Sequence, residues 1–164
     1  MIIKILLAGD GGQGIQTIAN LLTAAAFSND FYVSDIPNFG LEQRGGVSLA
    51  YLQISKEEIT YPKFTKPDIL LIMSDQALER TPQYQAVATK IFKLSDFEDK
   101  LKENDVLKQS YNIFFLGLLG SILEKEGFIK INKLHKFLEK KLGTKPGWVK
   151  NEKAFNLGIK NLMN

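Results

Sequence analysis

The sequence predicts an α/β fold, a single three-layer α/β/α domain with a mostly parallel or mixed sheet that spans residues 1–164. Two observations lead to this prediction. Apolar runs of strand length alternate with segments of helical spacing, and a glycine-rich turn joins the first strand to the first helix. The chain has 164 residues, of which 45% are hydrophobic and 24% charged, a composition typical of one globular domain with a sizeable core.

The elements follow one another in a regular order. Five apolar runs are predicted as strands: residues 2–8, 31–33, 47–54, 68–73 and 90–94. The run at 47–54 (VSLAYLQI) is rich in β-forming residues, and the continuous run at 68–73 (DILLIM) is typical of a central strand buried on both faces. Four segments with apolar residues at helical spacing are predicted as helices: residues 14–27, 111–126, 130–142 and 151–162. Asn132 is the expected N-cap of the third.

The glycine turn is the first candidate site. It reads Gly9-Asp10-Gly11-Gly12-Gln13-Gly14 and lies between the first strand and the first helix. Unpaired N–H groups and the helix dipole favour an anion at such a position, so we expect a phosphate or carboxylate there. The glycine spacing also matches the Rossmann dinucleotide fingerprint, and Asp35, 21 residues after Gly14, stands near the position of the acidic residue that binds a ribose hydroxyl.

The composition excludes several classes of protein. There is no cysteine, which excludes disulfides, thiolate metal sites and a cysteine-ligated iron–sulfur cluster in this chain and fits a reducing cytoplasm. The N-terminus lacks the pattern of a signal peptide. The longest apolar stretch, residues 113–123, is short of the roughly 20 residues that span a bilayer. We therefore expect a cytoplasmic protein with no membrane partner.

Positive charge is concentrated towards the C-terminus. Residues 121–164 contain ten lysines and four glutamates. In the helix at 130–142 the lysines surround an apolar stripe, a pattern typical of a solvated helix face. A docking surface for an acidic partner or a polyphosphate is the alternative. No aromatic platform or nucleic-acid motif accompanies the lysines, so nucleic acid is not an expected partner.

A second glycine motif lies about thirty residues after the first and immediately before the strand at 47–54. It reads Gln43-Arg44-Gly45-Gly46. Gly45 and Gly46 allow close approach of a ligand or another chain, and the Arg44 guanidinium suits a carboxylate or phosphate. A structural arginine that binds loop carbonyls is the alternative for Arg44. The Gln13 amide has two interpretations as well, since it can orient a ligand or pin the loop.

Together, the GGQG and QRGG motifs make the chain resemble the gamma subunit of the 2-oxoacid:ferredoxin (acceptor) oxidoreductases, a family that includes the pyruvate, 2-oxoglutarate, 2-oxoisovalerate and indolepyruvate enzymes. The resemblance extends over almost the whole chain. Further matching segments are Ile59-Thr60-Tyr61-Pro62, Pro67-Asp68, Asn112, Leu116-Gly117 and Asn151-Glu152-Lys153-Ala154-Phe155-Asn156-Leu157-Gly158.

The resemblance implies a Rossmann-like domain in a hetero-oligomeric complex that oxidatively decarboxylates a 2-oxoacid to an acyl-CoA. Alpha and beta subunits are the implied partners, a ferredoxin-like delta subunit is a further candidate, and ferredoxin or a similar protein accepts the electrons. Thiamine diphosphate and iron–sulfur clusters are expected in those partners, and coenzyme A is the candidate ligand here. The candidate binding residues are Gly9, Gly11, Gly12, Gln13, Gly14, Arg44, Gly45 and Gly46. No catalytic residue and no metal ligand is predicted, and the isolated chain is expected to be inactive.

One region departs from the family pattern. The segment between Asp75 and Asn112 is short and charged, so a strand or an edge helix is expected to be missing or reduced. His135 is the only histidine, and we expect it on an exposed helix face with no acid beside it. The adjacent carboxylates Glu57-Glu58 and Glu98-Asp99 are interpreted as solvated surface. The alternative function is a free-standing NAD(P)- or flavin-nucleotide-binding protein that uses Asp35.

Overall fold

The computed structural model describes residues 1–39 and 46–162. Within these residues, five strands are present: β1 (Ile2–Asp10), β2 (Tyr32–Phe39), β3 (Val47–Ser55), β4 (Ile69–Ile72) and β5 (Lys90–Lys93). The same residues contain seven α-helices: α1 (Ile15–Phe27), α2 (Asp75–Arg80), α3 (Pro82–Gln85), α4 (Glu98–Glu103), α5 (Tyr111–Lys125), α6 (Ile131–Leu142) and α7 (Trp148–Lys160). The predicted alternation of strands and helices is confirmed.

All five strands form one mixed sheet in the order β2-β3-β1-β4-β5. The β1–β4 and β4–β5 pairs are parallel, whereas β3 is antiparallel to both of its neighbours. The four residues of β4 are all buried, as its continuous apolar run predicted. The parallel half of the sheet therefore presents the carboxyl ends of β1, β4 and β5 at a single edge.

Helices α1, α5, α6 and α7 form most of the cover of one face of the sheet, and α4 adds Leu101. Alternate residues of β1, Ile3, Ile5 and Leu7, point to this face and pack in one buried cluster with α1, α5, α6 and α7. Phe114 and Phe115 of α5 and Phe155 of α7 belong to the same cluster and are almost fully buried. This layer is the main hydrophobic core.

Two glycines let α5 and α7 approach each other closely. A Cβ atom on Gly117 would overlap the backbone carbonyl of Phe155, and one on Gly158 would overlap the carbonyl of Phe114. At the start of these helices, the Ser110 hydroxyl donates to Asn151 Oδ1 at 2.7 Å. Backbone contact of this kind leaves no room for a side chain. The C-terminal segment 151–158 thus has a packing role.

The other face of the sheet is covered more thinly. Leu6 and Ala8 of β1 point this way and pack with Tyr51, Phe64 and Ala77 of α2. The Tyr51 and Tyr84 hydroxyls are hydrogen-bonded at 2.6 Å. Helices on both faces give the three layers that the sequence predicted, with unequal thickness.

Two details of the predicted secondary structure are wrong. Strand β2 is longer than the predicted residues 31–33 and contains Pro37. An edge strand tolerates proline because it pairs on one side only. Helix α6 has Lys130 rather than Asn132 at its N-cap position, and the Ile131 N–H instead donates to Glu124 Oε1 at 2.8 Å.

The segment between Asp75 and Asn112 is not depleted of structure. It contains α2, α3, β5 and α4, all of them short. Six of its charged residues lie on α4 or next to it, at positions 96, 98, 99, 100, 102 and 103, and Leu101 of α4 is fully buried. No helix in the described residues is long and apolar enough to cross a membrane.

Candidate functional site

A crevice opens between the carboxyl ends of β1 and β4. After β1 the chain enters α1 on the thicker face of the sheet, whereas after β4 it enters α2 on the opposite face. Adjacent parallel strands whose helices leave to opposite faces create a topological switch point, where α/β proteins commonly bind ligands. The crevice widens into a cleft of about 620 Å³ that also reaches the end of β5.

The glycine turn forms the first wall of this cleft. Gly12 and Gly14 have φ values of 89° and 79°, which favour glycine, and Gly14 is the N-cap of α1. No side-chain hydrogen bond caps this helix. A Cβ atom on Gly14 would overlap the side chain of Asn112, so α5 packs directly against the turn. The start of α1 is consequently held in place by backbone conformation and close packing.

Gln13 pins this turn across the crevice. Its Oε1 accepts from the Asp10 N–H at 2.7 Å, and its Nε2 donates to the Met73 carbonyl at 2.8 Å. Both atoms of the amide therefore bind backbone groups at the ends of β1 and β4. Of the two interpretations of Gln13, the structure supports the one in which it fixes the loop.

The two glycine motifs meet in space. The Gly11 N–H donates to the Gly46 carbonyl at 3.1 Å, which joins the turn after β1 to the start of β3. Arg44 and Gly45 lie outside the described residues. Gly9 is the last buried residue of β1 and packs against Gln13. A Cβ atom on Gly9 would be only 2.8 Å from Gln13 Oε1. The predicted residues that the structure describes thus form one continuous cluster.

The start of α2 extends the glycine-turn wall. The Ser74 hydroxyl donates to Asp10 Oδ1 at 2.7 Å and accepts from the Ala77 N–H at 3.0 Å as the N-cap of the helix. One serine therefore caps α2 and holds the Asp10 carboxylate. Sequence reasoning did not select Asp10 or Ser74 as site residues, although Asp10 lies inside the glycine motif.

The second wall comes from the segment that was expected to be reduced. Lys93 at the end of β5, Glu98 and Lys102 on α4 and Lys108 before α5 all line the cleft. The Lys102 ammonium lies 3.1 Å from Glu98 Oε2, and the hydrogen bond and charge of Glu98 raise the pKa of Lys102. Glu98 is therefore a cleft residue rather than simple surface. The run of charged residues in this segment is the sequence feature that could have indicated a polar cleft wall.

Asp35 is far from the position that the dinucleotide fingerprint requires. It pairs with Leu52, which in turn pairs with Ile5 in the middle of β1, and β3 separates the two strands. Neighbouring strands are about 4.8 Å apart, so Asp35 stands about 10 Å sideways from β1 and several residues from its carboxyl end. Its Oδ1 is buried without a hydrogen bond, and burial raises the pKa of this carboxyl. This position does not fit the role at a ribose that the alternative, dinucleotide-binding interpretation gives Asp35.

His135 also differs from the expectation. Its Nε2 lies 3.0 Å from Glu152 Oε1, and its ring packs 5.9 Å from the Trp148 ring and 5.7 Å from the Phe155 ring, measured between centroids. An acid is therefore beside it, and the four residues connect α6 to α7. No cluster of three or more histidine, cysteine or acidic residues that would suit a metal ion occurs in the described parts of the chain.

The fold and the crevice define an α/β domain with a cleft at its topological switch point. Comparison with known proteins identifies the family to which the chain belongs. The chain belongs to the family described as pyruvate ferredoxin/flavodoxin oxidoreductase, whose pattern matches residues 4–161.

Curated relatives match the chain over part of its length. The 2-oxoglutarate synthase subunit KorC of Methanothermobacter marburgensis is 46% identical over 76 residues, which are 46% of this chain and 41% of that protein. The pyruvate/ketoisovalerate oxidoreductases common subunit gamma of Pyrococcus abyssi is 37% identical over 78 residues, 47% of this chain and 42% of that protein. The aligned segment thus spans about two fifths of these relatives' length.

Two solved structures share the fold over nearly the whole chain. The first is a 2-oxoglutarate:ferredoxin oxidoreductase from Magnetococcus marinus with 2-oxoglutarate, coenzyme A and succinyl-CoA bound. Its TM-score is 0.78 at 22% identity, over 98% of this chain and 31% of that one. The second, a keto/oxoacid ferredoxin oxidoreductase gamma subunit from Geobacter sulfurreducens, has a TM-score of 0.72 at 19% identity, over 99% of this chain and 97% of that one. At these identities the similarity establishes the fold.

Proposed function

We propose that this chain is the gamma subunit of a cytoplasmic 2-oxoacid:ferredoxin oxidoreductase complex. In this complex a 2-oxoacid loses CO₂, its acyl carbon forms a thioester with the sulfur of coenzyme A, and the two electrons released pass to ferredoxin or a similar acceptor. This chain assists assembly and coenzyme A binding and does not itself carry the chemistry. The family match over residues 4–161 is the observation that carries the proposal.

The cleft has the chemistry that coenzyme A phosphates require. The first turn of α1 presents N–H groups beyond Gly14 with no side-chain cap, and a Cβ atom on Gly12 would meet nothing within 4 Å. Lys93 and Lys108 add positive charge on the facing wall. When bound, coenzyme A supplies the thiol that accepts the acyl group. The chain's own contribution is to orient the phosphates with Gly9, Gly11, Gly12, Gly14, Arg44, Gly45 and Gly46, while Gln13 holds the glycine turn in place.

The remaining cofactors are assigned to partner subunits. A chain without cysteine cannot ligate an iron–sulfur cluster through thiolates. Thiamine diphosphate and the clusters are therefore proposed to reside in alpha, beta and ferredoxin-like delta subunits. The relatives named as subunits, KorC and the common subunit gamma, support a multi-chain assembly.

Reconstitution tests this function. The chain would be co-expressed with the larger subunits from its own source, and 2-oxoacid-dependent reduction of ferredoxin would be measured with and without it. We expect the chain to co-purify with the larger subunits, activity to require it, and the chain alone to show no visible cofactor absorbance. Full activity of the larger subunits in its absence would contradict the proposal.

Arg44→Ala separates the two contributions of the motif. An arginine that contacts a partner subunit would cost assembly when truncated, measured by co-purification. An arginine that contacts a phosphate would leave assembly intact and raise the coenzyme A concentration needed for half-maximal activity. Unchanged assembly and unchanged coenzyme A dependence would remove Arg44 from the proposed site.

A further inference from the structure

Among the charged residues of the cleft wall, one acid and one base already form a pair. Glu98 and Lys102 are one turn apart on α4, and both line the cleft. Their side chains are 45% and 59% exposed, so the contact lies in solvent at the rim and not in the core. Lys93 and Lys108, which also line the cleft, have no ion pair with an acid among the residues that the structure describes.

An exposed ion pair of this kind is weak. Such pairs contribute about 0.2–1 kcal/mol, because both charges remain hydrated and two long side chains lose freedom. An incoming anion can therefore replace the carboxylate at Lys102 at small cost. A phosphate group carries about 1.5 to 2 negative charges near neutral pH and three acceptor oxygens, so it interacts with an ammonium more strongly than a carboxylate does.

We propose that Glu98 is an exchangeable counter-anion of Lys102, which a phosphate group of the bound ligand replaces. The inference rests on the proposed function, since it assigns residues to the cleft that is proposed to bind coenzyme A. In the free chain, Glu98 holds the ammonium at the cleft wall. On binding, the phosphate takes the place of the carboxylate at Lys102, and Lys93 and Lys108 add to the positive charge around it.

Glu98 then has two opposing effects. It keeps Lys102 positioned on the wall, and it lowers the affinity for anions by competing for the lysine and by repelling them directly. Weakly binding anions are thereby kept out of the cleft. The arrangement makes an unusual prediction, because removing a charged residue from a binding cleft should strengthen binding.

Calorimetric titration of the chain with inorganic pyrophosphate tests this inference. We expect Glu98→Gln to raise the affinity about two- to fivefold, the range that corresponds to one exposed ion pair, and Lys102→Met to lower it by a similar factor. Glu103→Gln is the matched control. It makes the same change in charge on the same helix at an exposed position that does not line the cleft.

The double variant separates the two effects of Glu98. If the carboxylate acts through Lys102, the gain from Glu98→Gln becomes smaller in the Lys102→Met background, and the difference measures their coupling. A parallel titration with coenzyme A distinguishes the source of the phosphate. If the variants rank in the same order of affinity for pyrophosphate and for coenzyme A, an isolated phosphate group is sufficient for binding. If they rank in that order only for coenzyme A, the phosphate must be part of the larger ligand.

Three results would overturn the inference. These are an equal effect of Glu98→Gln and Glu103→Gln, an undiminished effect of Glu98→Gln without Lys102, and no binding of either probe to any variant. None of them would disprove the subunit role, which is tested by co-purification and reconstituted activity. Conversely, a chain that binds phosphate in the expected order but fails to join the larger subunits would contradict the proposed function and support the inference.

Discussion

The two walls of the cleft are built in different ways. The glycine-turn wall is held by backbone hydrogen bonds and close packing, namely Gln13 to Met73, Gly11 to Gly46 and Gly14 against Asn112. The wall from β5 and α4 presents exposed side chains and one ion pair at its rim. Substitutions in the first wall should therefore cost stability, whereas substitutions in the second should change binding with little effect on stability.

Gly14→Ala should have the largest effect. It combines a residue at positive φ with an overlap on Asn112, and we expect a loss of about 3 kcal/mol in the free energy of unfolding. Denaturant titration measures this loss.

Gly127→Ala is the control for that substitution. Gly127 also has a positive φ, of 80°, but nothing lies within 4 Å of its Cβ position. Alanine there should therefore cost only the energy of the left-handed backbone conformation, about 1 kcal/mol. Adding Asn112→Ala to Gly14→Ala should restore part of the loss. Equal losses at the two glycines would refute the proposed overlap.

Gln13→Ala should have the next largest effect. It removes the hydrogen bonds that the amide makes to the Asp10 N–H and the Met73 carbonyl, at an expected cost of about 2 kcal/mol in the free energy of unfolding. Gln16→Ala is the comparison, since Gln16 makes one long contact of 3.5 Å to the Leu49 carbonyl. If Gln13→Ala costs no more than Gln16→Ala, the turn is not pinned by the amide.

Asp35→Asn should stabilise the protein, and the effect should depend on pH. Burial raises the pKa of this carboxyl in the folded state above its ordinary value of 3.8. The folded state therefore binds the proton more tightly, and ionisation of Asp35 at neutral pH costs stability that returns as the pH falls through the folded-state pKa.

The asparagine variant should accordingly be more stable than the natural chain at pH 7, by less than about 1 kcal/mol because solvent screens the half-buried carboxylate. The difference should vanish below about pH 3.8, where the aspartate is protonated in both states. Thermal denaturation of both proteins across this pH range provides the measurement. A difference that is constant with pH would show that the charge of Asp35 is not responsible.

Lys108→Met should have the smallest effect on stability. The residue is exposed and lines the second wall, so we expect a change within about 0.5 kcal/mol in the free energy of unfolding. The affinity of the Lys108→Met variant for pyrophosphate should nevertheless fall about two- to fivefold, as expected for the loss of one exposed charge. If Lys108→Met lowers stability but leaves the affinity unchanged, the second wall does not have the binding role expected of it.

The first wall was largely predictable because its constraints are local. A strand, a glycine turn and a helix with apolar spacing specify one another over a few residues. The turn forms where the sequence predicts it, and its Gly12 and Gln13 line the cleft. The sequence left Gln13 undecided between a ligand and the loop. Only the position of β4 beside β1, which brings the Met73 carbonyl within reach of the amide, distinguished them.

The second wall was not predictable because it depends on contacts between distant segments. Lys93, Glu98 and Lys108 come from three separate short elements that meet only when β5 pairs with β4. In the same way, Asp35 does not fit the dinucleotide fingerprint, because the fingerprint assumes that the second strand lies next to the first. Here the antiparallel β3 lies between them.

The sequence by itself determined the α/β class, the glycine turn at the start of α1, the buried β4 and the family resemblance, because each depends on residue types at short spacing. Strand order, the meeting of Gly11 with Gly46, the close contact of α5 and α7 and the composition of the second wall were decided by the tertiary structure. The physical reason is that periodicity reports which face of an element is buried, whereas the identity of its neighbour is set by packing across the whole chain.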